Sequence, residues 1–370
     1  MGNALNLGRI FGIPLRLHYT WFLIFFLVVV SLVFSLAGDY PLWQRIVGGI
    51  VGSLLFFASL IAHELAHSAV AIRYGIPVRS ITLFIFGGVA HITKEAAQAS
   101  AELKMALVGP LSSLLIAGLF AGVQWLLSGV APPPALELLG WLAIINLFLA
   151  LFNLLPGFPL DGGRVLRAVI WHFSNNYKRA TRVAVLSGRT VAYLFIVGGI
   201  ALMFITREWF SGLWLAFVGW FLENAATSSY RQSQMREAFQ GLSAQDVMTE
   251  DCPVISRHLP VGQLVQEHVF PSGHRCFLVV DEGKLEGIVT LHNIKSIPQQ
   301  QWDTASVGEI MTPADKVIAV SPQQDVLSIL ERMDAGKVDQ MPVVQGGRVI
   351  GMVARDSLIH FIRTRSELGV

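Results

Sequence analysis

Long apolar runs separated by short polar breaks fill the chain as far as residue 236, after which the pattern changes. Six runs reach the roughly 20 residues that a bilayer crossing needs, at positions 19–37, 46–72, 105–127, 135–155, 185–205 and 209–227. Each predicts a membrane-spanning helix. The first follows Arg9 and Arg16, as a signal peptide would. Its apolar run is too long for one and no small-residue cleavage site follows, so it is expected to stay as a span. A shorter run at 80–86, Ser-Ile-Thr-Leu-Phe-Ile-Phe, is β-branched and aromatic and ends in Gly87-Gly88. It predicts a strand or hairpin at the interface, rather than a plain amphipathic connector, with an edge open to an extended peptide. Residues 153–164 read Asn-Leu-Leu-Pro-Gly-Phe-Pro-Leu-Asp-Gly-Gly-Arg. Two prolines and three glycines there forbid a continuous helix, so the backbone turns at membrane depth.

Beyond residue 236 the apolar runs shorten and a repeat appears. Asp246-Val247-Met248-Thr249 recurs as Glu309-Ile310-Met311-Thr312, and Gly287-Ile288-Val289-Thr290 as Gly351-Met352-Val353-Ala354. Two copies of this size mean two similar modules that pair, not a solenoid. Three regions follow: 1–236, 237–300 and 301–370.

Composition sharpens the division. The chain is 53% apolar and only 14% charged, with mean hydropathy +0.57, against about 25% charge in soluble domains. Residues 1–236 carry 16 Lys+Arg and 8 Asp+Glu, whereas residues 237–370 carry 11 and 17. The overall +2 therefore says nothing of partners, and a basic nucleic-acid surface is excluded as the main theme. Two cysteines, Cys252 and Cys276, exclude a disulfide scaffold and a cysteine-rich metal site. With the N-terminus in the cytoplasm, fourteen Lys and Arg of the membrane part fall on the inner side and only Arg45 and Arg207 outside. That bias places the N-terminus and the acidic tail in the cytoplasm.

The second apolar run carries His63-Glu64-Leu65-Ala66-His67. The spacing sets two imidazoles on one helical face, about 6 Å apart, as two ligands of a tetrahedral Zn²⁺ require. Glu64 stands beside them to take a proton from water. Buried histidines bonded to neighbouring helices are the bland alternative. A glutamate and two histidines in a span are costly without a purpose, which favours the metal. A helical rise of 1.5 Å per residue from Arg73 puts the pair roughly 9–15 Å below the cytoplasmic interface. A third protein ligand is needed, and His18, His91, His172 and Asp161 are the candidates. Asp161, acidic on a broken apolar segment, fits best; its rival role is capping a helix that begins near Arg164.

His63-Glu64-Leu65-Ala66-His67 followed by Pro159-Leu160-Asp161-Gly162-Gly163 resembles the site-2 protease family of intramembrane zinc metalloproteases. Gly12-Ile13-Pro14 and Phe86-Gly87-Gly88-Val89 extend the resemblance over the whole membrane part. It implies one Zn²⁺ held by His63, His67 and Asp161, with Glu64 as catalytic base and Asn153 positioning substrate or stabilising the oxyanion. It also implies a substrate with a transmembrane segment, such as a membrane-tethered regulator, in a prokaryotic cytoplasmic membrane. The repeats resemble a tandem pair of CBS domains, which implies an adenine nucleotide (ATP, ADP or AMP) and a homodimer formed through the pair. The ribose pattern is kept in the first copy by Gly287, Thr290 and Asn293, while the second has Ala354 and Ser357. One nucleotide site is expected, the alternative being a pair that serves only for docking. The expected fold is therefore a polytopic α-helical membrane domain with a short interfacial β element, plus an α/β tail. A CBS-regulated transporter or channel is the rival reading, but the membrane part shows no internal repeat.

Overall fold

The computed structural model describes residues 4–36, 40–85, 87–92, 96–239, 241–250, 253–281, 284–336, 338–346 and 348–368. The chain divides into two compact units, Met1–Arg231 and Gln232–Val370. The six apolar runs coincide with helices α1 (Thr20–Ser35), α2 (Leu42–Arg73), α3 (Ala99–Leu126), α4 (Pro133–Asn153), α6 (Tyr177–Ile205) and α7 (Trp209–Phe239). Between α4 and α6 lies the shorter α5 (Asp161–Ser174), where the Pro/Gly segment ends. Among the described residues, α2, α3, α4 and α6 are long and apolar enough to cross a membrane. α1 is apolar but only 16 residues long, and the apolar stretch of α7 is interrupted by Glu223 and Asn224. The chain is a multi-pass membrane protein.

The interfacial β element is larger than its sequence signal. A four-stranded sheet runs β1 (Ala4–Ile10), β2 (Ile13–His18), β3 (Val78–Phe84), β4 (Gly87–Ile92) in that order. β3 and β4 form the hairpin expected around Gly87-Gly88; Phe86 lies outside the described residues. β2 joins β3 in parallel, and alternate residues Ile13, Leu15 and Leu17 are buried. The turn at Phe11-Gly12 has φ of 50° and 81°, the positive-φ pair that matches a two-residue hairpin.

α3 packs on α2, α4 and α5, so it stands at the centre of the membrane unit. The four-residue spacing of Gly48 and Gly52 serves helix packing: a Cβ on Gly52 would meet Leu138 Cδ1 at 2.5 Å. Gly118 and Gly122 do not, because a Cβ on either meets nothing within 4 Å.

In the second unit one sheet is β5 (Val254–Ile255), β6 (Cys276–Asp281), β7 (Lys284–Thr290) and β8 (Thr312–Pro313), and another pairs β9 (Gln340–Gln345) with β10 (Arg348–Ala354). The repeats interleave. Thr312 of the second copy pairs with Ile288 of the first, and Thr249 of the first bridges Met352 of the second. Phe239, Ala244 and Val247 are buried with Val320, Ile329 and Val353, whereas Val307 is buried with Val261, Phe277 and Val289. The glycines allow this close crossing: a Cβ on Gly287 would lie 2.9 Å from Met311 Sδ, and one on Gly351 2.8 Å from Met248 Sδ.

Candidate metal centre

His63 and His67 lie one turn apart on α2, 2% and 5% exposed. Their Nε2 atoms are 3.2 Å apart. Asp161, the first residue of α5, brings Oδ2 to 3.2 Å from His63 Nε2 and 3.0 Å from His67 Nε2. A tetrahedron with metal–ligand bonds of about 2.0–2.1 Å has edges of about 3.3 Å, so these three atoms fit three of its corners. The outer nitrogens set the tautomer. His67 Nδ1 is 2.6 Å from the Met105 carbonyl, which can only accept, so Nδ1 carries the proton and Nε2 presents a lone pair. His63 Nδ1 meets the Ser113 hydroxyl at 2.9 Å. Lone pairs and a carboxylate oxygen gathered in a buried place call for a cation, and zinc suits this donor set.

Local sequence explains how the parts meet. Gly109 of α3 lies over both rings, and a Cβ there would fall 2.2 Å from His67 Nε2 and 2.7 Å from His63 Nε2. The Pro/Gly segment before Asp161 is wedged against α6. A Cβ on Gly188 would sit 2.1 Å from the Phe158 carbonyl, and one on Gly162 2.3 Å from the Leu154 and Leu155 carbonyls. The Phe158 N–H donates to Ala184 O at 3.2 Å, and Ser187 Oγ donates to the Pro156 carbonyl. α5 begins at Asp161, three residues before the start expected near Arg164, so the carboxylate stands at N1 and is free to reach the histidines.

Glu64 is half-buried beside the cluster, and its carboxylate accepts the Ala90 N–H of β4. Gly88 of the same strand passes so close that a Cβ would lie 2.7 Å from Glu64 Cγ. β4 is the outer strand of its sheet, with β3 on its other side.

His18 pairs with Thr20 Oγ1 at 2.9 Å, and His172 is exposed near the end of α5. The side chain of His91 lies outside the described residues. Asn153 ends α4 and donates an amide hydrogen to Leu149 O at 3.0 Å. Ser113, the Met105 carbonyl and Gly109 give no isolated sequence signal; only a helix packed on α2 reveals them.

In the second unit, Thr290 and Asn293 cap the helix Leu291–Lys295 reciprocally: Thr290 N and Oγ1 donate to Asn293 Oδ1 at 2.9 and 2.7 Å. Both line a cleft of about 660 Å³ whose wall also holds Lys295, Lys316 and two ion pairs, Arg275–Asp356 and Arg355–Asp339. A second cleft, beside Ser357, is lined by Asp246, His360 and the same Asp356.

Peptidase family M50 matches residues 51–137 and 129–197, and the CBS domain matches residues 244–298 and 307–364. A Mycobacterium tuberculosis protein that bears the name zinc metalloprotease Rip3 is 35% identical over 98% of this chain and 93% of its own length. Zinc metalloprotease MJ0392 of Methanocaldococcus jannaschii is 30% identical over 97% of this chain and 96% of its own. Among solved structures, the site-2 protease from Methanocaldococcus jannaschii is 31% identical and covers 61% of this chain and 94% of its own, with a TM-score of 0.44.

Proposed function

Since the chain belongs to peptidase family M50, with a tandem CBS pair, we propose that it cuts a peptide bond within or beside the transmembrane segment of membrane-tethered regulatory proteins. The convergence of His63, His67 and Asp161 next to Glu64 carries this reading. In it, those three hold one zinc ion, which supplies a Lewis acid for the scissile carbonyl and makes water acidic enough to lose a proton. Glu64 takes that proton and passes it to the departing amine. The Ala90 N–H keeps the carboxylate in place. Asn153, with its second amide hydrogen, positions substrate or the developing oxyanion.

A helical substrate hides its amides, so it must be opened before it can be cut. The outer edge of β4 offers main-chain groups to an extended peptide beside Glu64, which supports strand addition as the way substrate is presented. The charge bias favours a cytoplasmic side for this entrance and for the tail. A transporter or channel reading has no support in a chain whose relatives are zinc metalloproteases.

Purified protein in lipid vesicles with single-span test substrates checks the proposal. Cleavage should stop on zinc chelation and return on adding zinc. Cleavage that continues at full rate without metal would contradict it.

A second reading concerns the tail. Lys295 and Lys316 beside Thr290 and Asn293, against a second cleft whose described lining holds no lysine or arginine, favour one anionic adenine nucleotide per pair, with phosphates toward Lys316. Two copies of the chain would associate through the pair. Calorimetry on the full chain with ATP, ADP and AMP tests the binding. Heat with at least one of them, lost in Lys316→Ala, is expected; no heat with any would leave the pair a docking unit.

A further inference from the structure

We infer that the buried ion pair Glu102–Arg167 is a positioning device that holds Asp161 at the metal-binding point. The inference rests on the reading of Asp161 as a metal ligand.

Arg167 lies on α5, six residues after Asp161, and is only 6% exposed; Glu102, in the first turn of α3, is 1% exposed. Arg167 Nε donates to Glu102 Oε1 at 2.6 Å, and a terminal guanidinium nitrogen reaches the same oxygen. The guanidinium carbon is 4.9 Å from the ring centroids of both Phe158 and Tyr177. These rings come from the segment leading into Asp161 and from the start of α6. One side chain therefore ties together α3, α5, α6 and the Pro/Gly segment.

The geometry on α3 gives this tie its meaning. Glu102, Met105, Gly109 and Ser113 follow the i, i+3, i+7, i+11 stripe of a single helix face. Met105 holds His67, Ser113 holds His63, and Gly109 leaves room for both rings. Glu102 supplies the missing member, reaching the third donor through Arg167. Asp161 needs this more than the histidines do. The histidines share a continuous helix that fixes their spacing, while Asp161 follows a broken segment and its orientation depends on where α5 is held. A buried charge pair suits that task, because slipping α5 along α3 would break a charge-assisted contact between two groups held away from water. Outer supports of metal ligands act in this way, and their loss commonly weakens metal binding about 10- to 100-fold.

A double-mutant cycle on the full-length protein tests the assignment, with zinc affinity read by chelator competition. Glu102→Gln should weaken zinc about 10- to 100-fold in the wild-type background and lower kcat with KM little changed. In an Asp161→Ala background, where only the histidines remain, the same substitution should change zinc affinity less than about threefold. Arg167→Lys, which keeps the charge but loses the fork and the ring sandwich, should fall between wild type and Glu102→Gln. Equal losses in both backgrounds would reduce the pair to general stability and overturn the inference, as would unchanged affinity in Glu102→Gln. If Glu102→Gln does not fold, Arg167→Lys carries the same cycle; if neither gives a folded spectrum, the pair serves folding and the inference fails. Wild-type zinc affinity in Asp161→Ala alone would overturn the ligand assignment, and the positioning role with it.

Discussion

The metal-class side chains reach one point by two opposite routes. His63 and His67 sit on the 32-residue α2, where a spacing of four residues on one helix aligns them. Asp161 comes from a segment that cannot be helical before it and begins a helix with its own residue. The first route is set by local geometry and needs only a neighbour that leaves room. The second is set by tertiary contacts: Gly188 seating the Phe158 carbonyl, Gly162 against the Leu154 and Leu155 carbonyls, and Arg167 on Glu102. In the proposed zinc site, local spacing makes the histidine pair robust, whereas Asp161 is only as well placed as the packing around it.

Substitutions can sharpen or break this contrast. The largest effect should come from Gly109→Leu, which drives a side chain into both imidazoles. Zinc content should drop to background and cleavage by about 10⁴-fold, since the base chemistry is lost with the metal. Asp161→Ala should leave the histidines in place, keep weak zinc binding and lower cleavage by about 10³-fold. If its zinc affinity matched wild type, the two routes would not meet at one metal. Gly188→Ala should act on the second route alone, because the new methyl meets the Phe158 carbonyl and shifts the approach to Asp161. A loss of about 10²-fold in turnover, with the Asp161 carboxylate still present, is the expected cost of such a displacement. Smallest of the four, Ser113→Ala removes one outer support from a histidine already fixed by its helix, so zinc affinity should weaken by about 10-fold. A larger loss in Ser113→Ala than in Gly188→Ala would reverse the contrast.

The same contrast explains what the sequence disclosed. The His-Glu-x-x-His spacing is a property of one helix, and the Pro/Gly break before Asp161 is a property of one segment, so both were legible. Glu102 with Arg167, Met105 with His67 and Ser113 with His63 are separated by 65, 38 and 50 positions. No periodicity encodes such pairings; they follow from how α3 docks on α2 and α5. The hairpin β1–β2 went unforeseen although Phe11-Gly12 is a workable turn, because β1 is exposed along its whole length and carries no burial pattern. Gly118 and Gly122 share the spacing of Gly48 and Gly52, yet a Cβ on either meets nothing within 4 Å, since a small-residue spacing shows what a helix permits rather than what packs on it. In the tail the repeat was plain, but each Met-Thr segment crosses to the other module's sheet. Sequence similarity between copies says nothing of that exchange.

The central claim is that Glu64 does the proton transfer while three other side chains hold the metal. Glu64→Gln separates the two roles within one preparation, because the amide keeps the shape and the Ala90 contact but takes no proton. Zinc content measured on the purified variant should stay near one per chain, as in wild type, while cleavage of a single-span substrate by the same sample falls by about 10²- to 10⁴-fold. Cleavage near the wild-type rate with zinc still bound would contradict the account.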